Sequence, residues 1–227
     1  MVIAIIAILA ALLLPALARS KGEAQRISCI NNFHQIGTAW ALYLPDNGER
    51  FPDRRDLKNS LGYHPWSTWP PSDPRAGWSA VVLSNLLTSP ALWSCPAILT
   101  SPLLARQECT QFYRPGQSNC FTTYWFWRFD RPDDPVPLDD FWGKSIATCV
   151  SDLRLANNPQ AGMPGGPTDV QFAVDPYFPN TVPTVAPEIN GRAGHPNGYN
   201  TLFLDNHATF VRDSRVQYPA EAAGKYQ

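Results

Sequence analysis

Charge is scarce in this chain of 227 residues. Only 16% are Asp, Glu, Lys or Arg, and 18 basic against 19 acidic residues leave a net charge of −1, where soluble domains usually carry roughly 25% charged residues. A balance this near zero excludes a protein that holds nucleic acid through a basic face. The five cysteines contain no Cys-x-x-Cys pair, which excludes a zinc ribbon or a thioredoxin-type redox motif. Proline is abundant instead: 23 residues, about twice the usual share of roughly 5%, exclude a bundle of long helices in the body. Eight Trp and 12% aromatic residues exclude a disordered chain, because so much apolar surface can be buried. The length suffices for one domain with an appendage.

The longest hydrophobic run stands at the start. Residues 1–18, MVIAIIAILAALLLPALA, carry no charge and no strongly polar side chain. A run apolar on every face is not one side of an ordinary surface helix, and eighteen residues is the lower bound for crossing a bilayer. Ala16-Leu17-Ala18 fits the cleavage pattern of a secretory signal, but no basic segment precedes the run. The competing readings are a membrane anchor and a helix of assembly. The next segment separates them. Arg19 to Leu44 lacks proline and repeats apolar residues at Ile27, Ile30, Phe33, Ile36, Trp40 and Leu44, the spacing of an amphipathic helix. Pro45 and the turn residues Asp46-Asn47-Gly48 end it. One helix of about 43 residues, on the order of 65 Å long, is therefore predicted, with Pro15 kinking it by removing a backbone hydrogen bond. Arg19, Lys21 and Arg26 against Glu23 leave positive charge after the run. The positive-inside rule assigns such a flank to the cytoplasm, although residues upstream also enter that comparison.

The stretch VIAIIAILAALLLPALARSKGEAQRISCINNFHQIGTAW closely resembles the N-terminal helix of type IV pilins and type II secretion pseudopilins. The superfamily's prepilin-peptidase site and its early Glu are not present, because the apolar run begins at residue 1. The resemblance implies cleavage of a longer precursor by that peptidase and Pro15 as the point where pilin helices loosen. A second resemblance lies in His195-Pro-Asn-Gly-Tyr-Asn-Thr-Leu-Phe-Leu-Asp205-Asn206, which follows the H-x9-D-G pattern of a pseudopilin-like family of planctomycetes and verrucomicrobia, with Asn206 in place of the family Gly. Asn tolerates the left-handed backbone better than most residues. Ser94-Cys95-Pro96-Ala97 resembles the Cys-Pro step of the same family.

By themselves, Tyr199–Leu204 and His207–Val211 read as two short strands joined by a two-residue Asp205-Asn206 loop. His195, Asp205 and His207 offer a ligand set for zinc or iron, but no nucleophile motif accompanies them. The favoured reading is structural: Asp205 accepts turn N–H groups and His195 packs against the hairpin. Within the body, Trp78–Thr88 is predicted as a short helix, and Phe121–Phe129 (FTTYWFWRF) and Val170–Val174 as strands. The expected architecture is α+β: residues 1–45 form a membrane or assembly helix, and residues 46–227 a loop-rich head whose small antiparallel sheet the helix covers.

Asp130, Asp133, Asp134, Asp139 and Asp140 crowd one loop with Arg131. Oxygen-rich loops bind calcium, and some major pseudopilins carry such a site; a solvated acidic loop is the simpler reading. Trp66, Trp69 and Trp142 offer a platform for stacking sugars, or filling beneath proline-rich loops. In an exported body Cys95, Cys109, Cys120 and Cys149 are disulfide candidates with three pairings open. Cys109–Cys120 closes the shortest loop, and Cys29 is the odd thiol, buried against the head or between subunits.

The expected function is a non-enzymatic filament subunit, held in the inner membrane before assembly and then exported into a periplasmic or extracellular polymer. Residues Met1 to Leu14, with Ile3, Ile5, Ile6, Ile8, Leu9, Leu12 and Leu13, and then Pro15, form its assembly segment. Ile27, Ile30, Phe33, Ile36 and Trp40 seat the head. The alternative is a membrane-anchored module that binds glycan or another polymer through its aromatic loops.

Overall fold

A computed structural model describes residues 2–70, 72–132, 137–158, 162–216 and 218–219. The joined apolar and amphipathic patterns form one helix, α1 (Val2–Asp46), which continues through Pro15 and takes in Pro45. Pro45 sits in the last turn. There the chain leaves the helix with the N–H groups of Asn47 and Glu49 on the Leu44 carbonyl, and Gly48 and Glu49 adopt positive φ.

The body is built from short pieces, as its proline content requires. Helices α2 (Arg55–Ser60), α3 (Gly77–Val82) and α4 (Pro96–Leu99) lead to a two-residue ladder between β1 (Gln111–Phe112) and β2 (Phe121–Thr122). The long strand predicted over Phe121–Phe129 is therefore corrected. Trp125 makes isolated bridges with Arg75 and Val174, and Trp127–Phe129 is a 3-10 turn. The physical reason is that Tyr124, Trp125 and Phe126 are all fully buried. A regular strand turns alternate side chains to opposite faces, whereas this segment is wrapped on every side. The helix expected over Trp78–Thr88 is likewise shorter, with single turns continuing to Leu87.

Helix α5 (Ile146–Ala156) begins where the Ser145 hydroxyl accepts the Thr148 N–H at 3.2 Å and ends at Asn157 in the left-handed conformation, a cap at each end. Strands β3 (Gln171–Val174), β4 (Tyr177–Phe178), β5 (Arg192–Ala193), β6 (Gly198–Phe203), β7 (Ala208–Arg212) and β8 (Tyr218–Pro219) follow. They form two three-stranded sheets, β3-β6-β7 antiparallel throughout and β4-β5-β8 mixed. In the β6–β7 hairpin Thr201 lies opposite Thr209 and Leu202 opposite Ala208. The two-residue loop is corrected to three residues. The Phe203 N–H bonds the His207 carbonyl at 2.9 Å, which leaves Leu204, Asp205 and Asn206 as the loop, with Asn206 at φ 69°. A three-residue hairpin needs a left-handed residue at its last position, and Asn206 meets that need in place of Gly. Asn206→Gly is expected to leave stability unchanged, whereas Asn206→Val should cost about 1–2 kcal/mol, read from urea unfolding.

The second half of α1 lies across β6 and β7. The two pass close together at Gly37, where an added Cβ would meet Leu202 Cδ1 and Asn206 Cβ, each at 3.1 Å. Beside this crossing an aromatic core joins helix and head. The Trp40 ring centroid lies 5.5 Å from that of Phe51, 5.9 Å from Phe172 and 6.0 Å from Trp78. This is the α+β arrangement that the sequence predicts.

Candidate functional site

Two features of α1 bear on function: its bare first half, and a buried cluster of polar groups where its second half enters the head. Val2, Ile3, Ile5, Ile6, Leu9, Leu12, Leu13, Leu14 and Leu17 are all exposed, Ile3 to 83%. The helix is long and apolar enough to cross a membrane, and among the described residues none in its most apolar window is buried. From Cys29 onward one face is buried: Cys29, Asn32, Phe33, Ile36, Ala39, Trp40 and Leu44. The predicted stripe therefore holds for Phe33, Ile36 and Trp40, and Ile30 is half-buried. It fails at Ile27, which is 60% exposed. Two residues along a helix turn the side chain through about 200°, so Cys29, not Ile27, continues the line of Phe33, Ile36 and Trp40.

Cys29 arrives in a wholly buried group. Its Sγ lies 2.9 Å from Asp175 Oδ1 and 3.3 Å from Tyr124 Oη. Cys95, the residue before α4, places Sγ 3.4 Å from His195 Nε2, and the same nitrogen lies 3.3 Å from Asp175 Oδ2. The ligand atoms of Cys29, Cys95, Asp175 and His195 all fall within 4.8 Å of one another. Around them, Asn200 donates its N–H to Asp175 Oδ2 at 3.0 Å, and Asn32 Nδ2 donates to Tyr124 Oη at 3.1 Å. Burial alone would raise the Cys95 thiol. The Cys29 hydrogen bond and the neighbouring His195 more than offset it, leaving Cys95 at about 7. Burial would depress His195, yet Cys95 and Asp175 hold it at about 10. Both shifts favour charge on the two partners of the Cys95–His195 contact. A Cys–His–Asp relay needs nucleophile and carboxylate on opposite ring nitrogens. Here both sit on Nε2, and all four residues are buried.

No family model, no curated protein and no solved structure matches the chain. The side chains themselves therefore carry the functional reading.

The remaining predicted sites disperse. His195 joins Asp175 and Cys95, while Asp205 bonds the exposed His207 at 2.5 Å and accepts its N–H at 3.2 Å. The set His195, Asp205 and His207 is not assembled, and the turn role of Asp205 is the one observed. The disulfide expectation is overturned: Cys29, Cys95, Cys109, Cys120 and Cys149 are all free, buried thiols. The β1–β2 register sets Cys120 opposite Tyr113 rather than Cys109, and its Sγ bonds Gln117 Oε1 at 2.9 Å. Cys149 lies inside α5, and Cys95 faces His195.

The acidic stretch forms no oxygen cage among the described residues, and Asp133 and Asp134 lie outside them. Asp140 bridges Arg55 at 2.7 Å and Lys144 at 3.4 Å, Asp139 faces Arg131 at 4.0 Å, and Asp130 is buried. Of the three tryptophans, Trp142 is buried in the core and Trp69 donates its ring N–H to the Tyr177 carbonyl at 2.9 Å. Trp66 is half-buried under the Arg75 guanidinium, 4.8 Å above its ring. They form no common platform.

Asp130 yields a pH prediction. Burial pushes its carboxyl up to about 8, with Asp139 adding repulsion and Lys58 opposing. Between the ordinary carboxylate range and about 8, the folded chain holds a proton that the unfolded chain releases. Stability must therefore fall as pH rises, by at most about 1.4 kcal/mol per pH unit. Lys58, lowered to about 8 by burial, acts only above that window and with the opposite sign. Thermal melts from pH 5 to 7.5 should show the decline in the natural sequence and a flatter profile in Asp130→Asn.

Proposed function

We propose that this chain is a structural subunit of a helical filament of the pilin and pseudopilin kind, built around α1. One observation carries the reading: a single unbroken helix has a fully bare apolar half and a half whose one face is buried in the head. An ordinary membrane anchor needs no such continuity, because a flexible linker would serve. A rigid helix shared between apolar arm and head suits a polymer in which arms pack at the centre and heads tile the outside.

Before assembly, lipid covers the arm, whose backbone groups bond within the helix apart from the first-turn N–H groups and the Ala11 carbonyl opposite Pro15. During assembly the arms of identical copies replace lipid, so the apolar surface never meets water. The resemblance of the first forty residues to prepilin helices and of the hairpin to the H-x9-D-G pattern supports this class. The Asn206 turn supplies a physical reason for the departure from Gly. The subunit itself needs no chemistry for this role.

The test is removal of detergent from the purified full chain, followed by electron microscopy. Ordered fibres are expected, and Leu9→Arg should abolish them, because a buried unpaired cation in an apolar bundle is strongly unfavourable. Amorphous aggregates or micelle-bound monomers under every condition would instead favour the anchored binding module.

A further inference from the structure

We propose that Cys29, Cys95, Asp175 and His195 form a zinc site that fastens α1 to the head, an inference that stands apart from the filament reading. The four side chains come from four separate parts of the chain: mid-α1, the residue before α4, the residue after β3 and the lead into β6. Two sulfurs, one imidazole nitrogen and one carboxylate oxygen are the donor set of a closed, four-coordinate zinc site. With metal–ligand bonds of about 2.0–2.3 Å, the edges of such a tetrahedron run to about 3.3–3.8 Å. Cys29 Sγ lies 2.9 Å from Asp175 Oδ1 and Cys95 Sγ 3.4 Å from His195 Nε2, and with one donor atom from each residue every pair lies within 4.8 Å, so shifts of about an ångström close the polyhedron.

Burial argues in the same direction. Asp175 is fully buried, and no Lys or Arg pairs with it among the described residues; its charged partner is His195. Against that carboxylate and the two sulfurs the His195 ring is the one group able to carry positive charge among the described side chains in the cluster, and several anionic donors gathered out of water are stabilised by a further cation. A divalent ion would supply that charge as each thiol and the ligating His195 nitrogen release their protons to solvent, and it would satisfy four donors at once. An outer layer is already in place, as such sites require: Asn200 holds Asp175, Tyr124 faces Cys29, and Asn32 orients Tyr124. Gly194 permits the close packing next to His195, since an added Cβ would lie 3.5 Å from Cys95 Sγ and 3.1 Å from Ile98.

The experiment uses the full chain, purified in detergent without chelator. Elemental analysis should find one zinc per chain. Exchange with cobalt(II) should give the intense visible bands of a tetrahedral ion together with a near-ultraviolet thiolate-to-cobalt band. Cys29→Ser and Cys95→Ser should each lose the metal, while Cys149→Ser, a buried thiol elsewhere, should retain it. The cobalt spectrum of the unaltered chain decides the matter even where a variant fails to fold. The proposal is overturned by a metal-free folded chain that takes up no cobalt, by a Cys29–Cys95 disulfide in mapped peptides, or by zinc that persists in the double Cys29→Ser/Cys95→Ser variant. None of these readouts depends on filament formation.

Discussion

Deleting residues 1–18 is expected to move the protein from the membrane fraction to the soluble fraction while shifting the melting temperature of the head by no more than a few degrees. The reason is the division of α1. Nine large apolar side chains between Val2 and Leu17 are exposed, and each is worth roughly 1.5–3 kcal/mol when withdrawn from water. Their combined preference for lipid, or for each other, is on the order of 10 kcal/mol or more. The same residues make no packing contribution to the head, because the most apolar window of the helix is bare. Alkaline washing of membranes followed by blotting reads the first effect, and near-ultraviolet dichroism of the purified truncated chain reads the second. A truncated chain that stays with membranes, or one that melts far lower, would show that the arm is part of the folded body.

Trp40→Ala should have the opposite profile. Trp40 is almost fully buried and meets Tyr43, Phe51, Trp78 and Phe172 edge-on or tilted, at centroid distances of 5.3 to 6.0 Å. Truncating a core tryptophan leaves a cavity and costs about 3–5 kcal/mol. For a chain of this size that corresponds to a loss of roughly 6–20 °C in melting temperature. Ile27→Ala, on the side of α1 turned away from the buried line, should change the melting temperature little. Membrane association should survive in both variants, since neither alters the first 18 residues. A Trp40→Ala protein melting within a degree or two of the natural one would mean that helix and head are held together elsewhere.

Where local chemistry repeats, the chain announces its structure in advance. The length of α1 follows from a charge-free run merging into a stripe of three- and four-residue spacing, and the Asn206 turn follows from Asn at a left-handed position. The misjudged pieces are those in which the environment overrules the pattern. FTTYWFWRF has the composition of a strand, yet surroundings that bury Tyr124, Trp125 and Phe126 alike break the alternation. Ile27 matches the helical spacing on one side only, and the burial of Cys29 shows which side the head takes. The polar cluster was out of reach for another reason. Cys95 and His195 are 100 positions apart and Cys29 and Asp175 are 146 apart, so no spacing rule links them. The available hints were a cysteine on the apolar stripe and a histidine leading into a hairpin, and only the tertiary fold unites them.

The unbroken course of α1 has a mechanical corollary. An uninterrupted helix behaves as a shaft: the azimuth at which the head faces outward is locked to the azimuth of the arm. About eleven residues, three turns, separate Ala18 from Cys29. Inserting a single residue there would swing the head by about 100° and lift it about 1.5 Å, whereas four residues would add a rise of about 6 Å and leave the bearing about 40° from the original. Relatives or designed variants that change the length of this shaft would therefore present different flanks to their neighbours, and increments close to whole turns are the ones that alter the facing least.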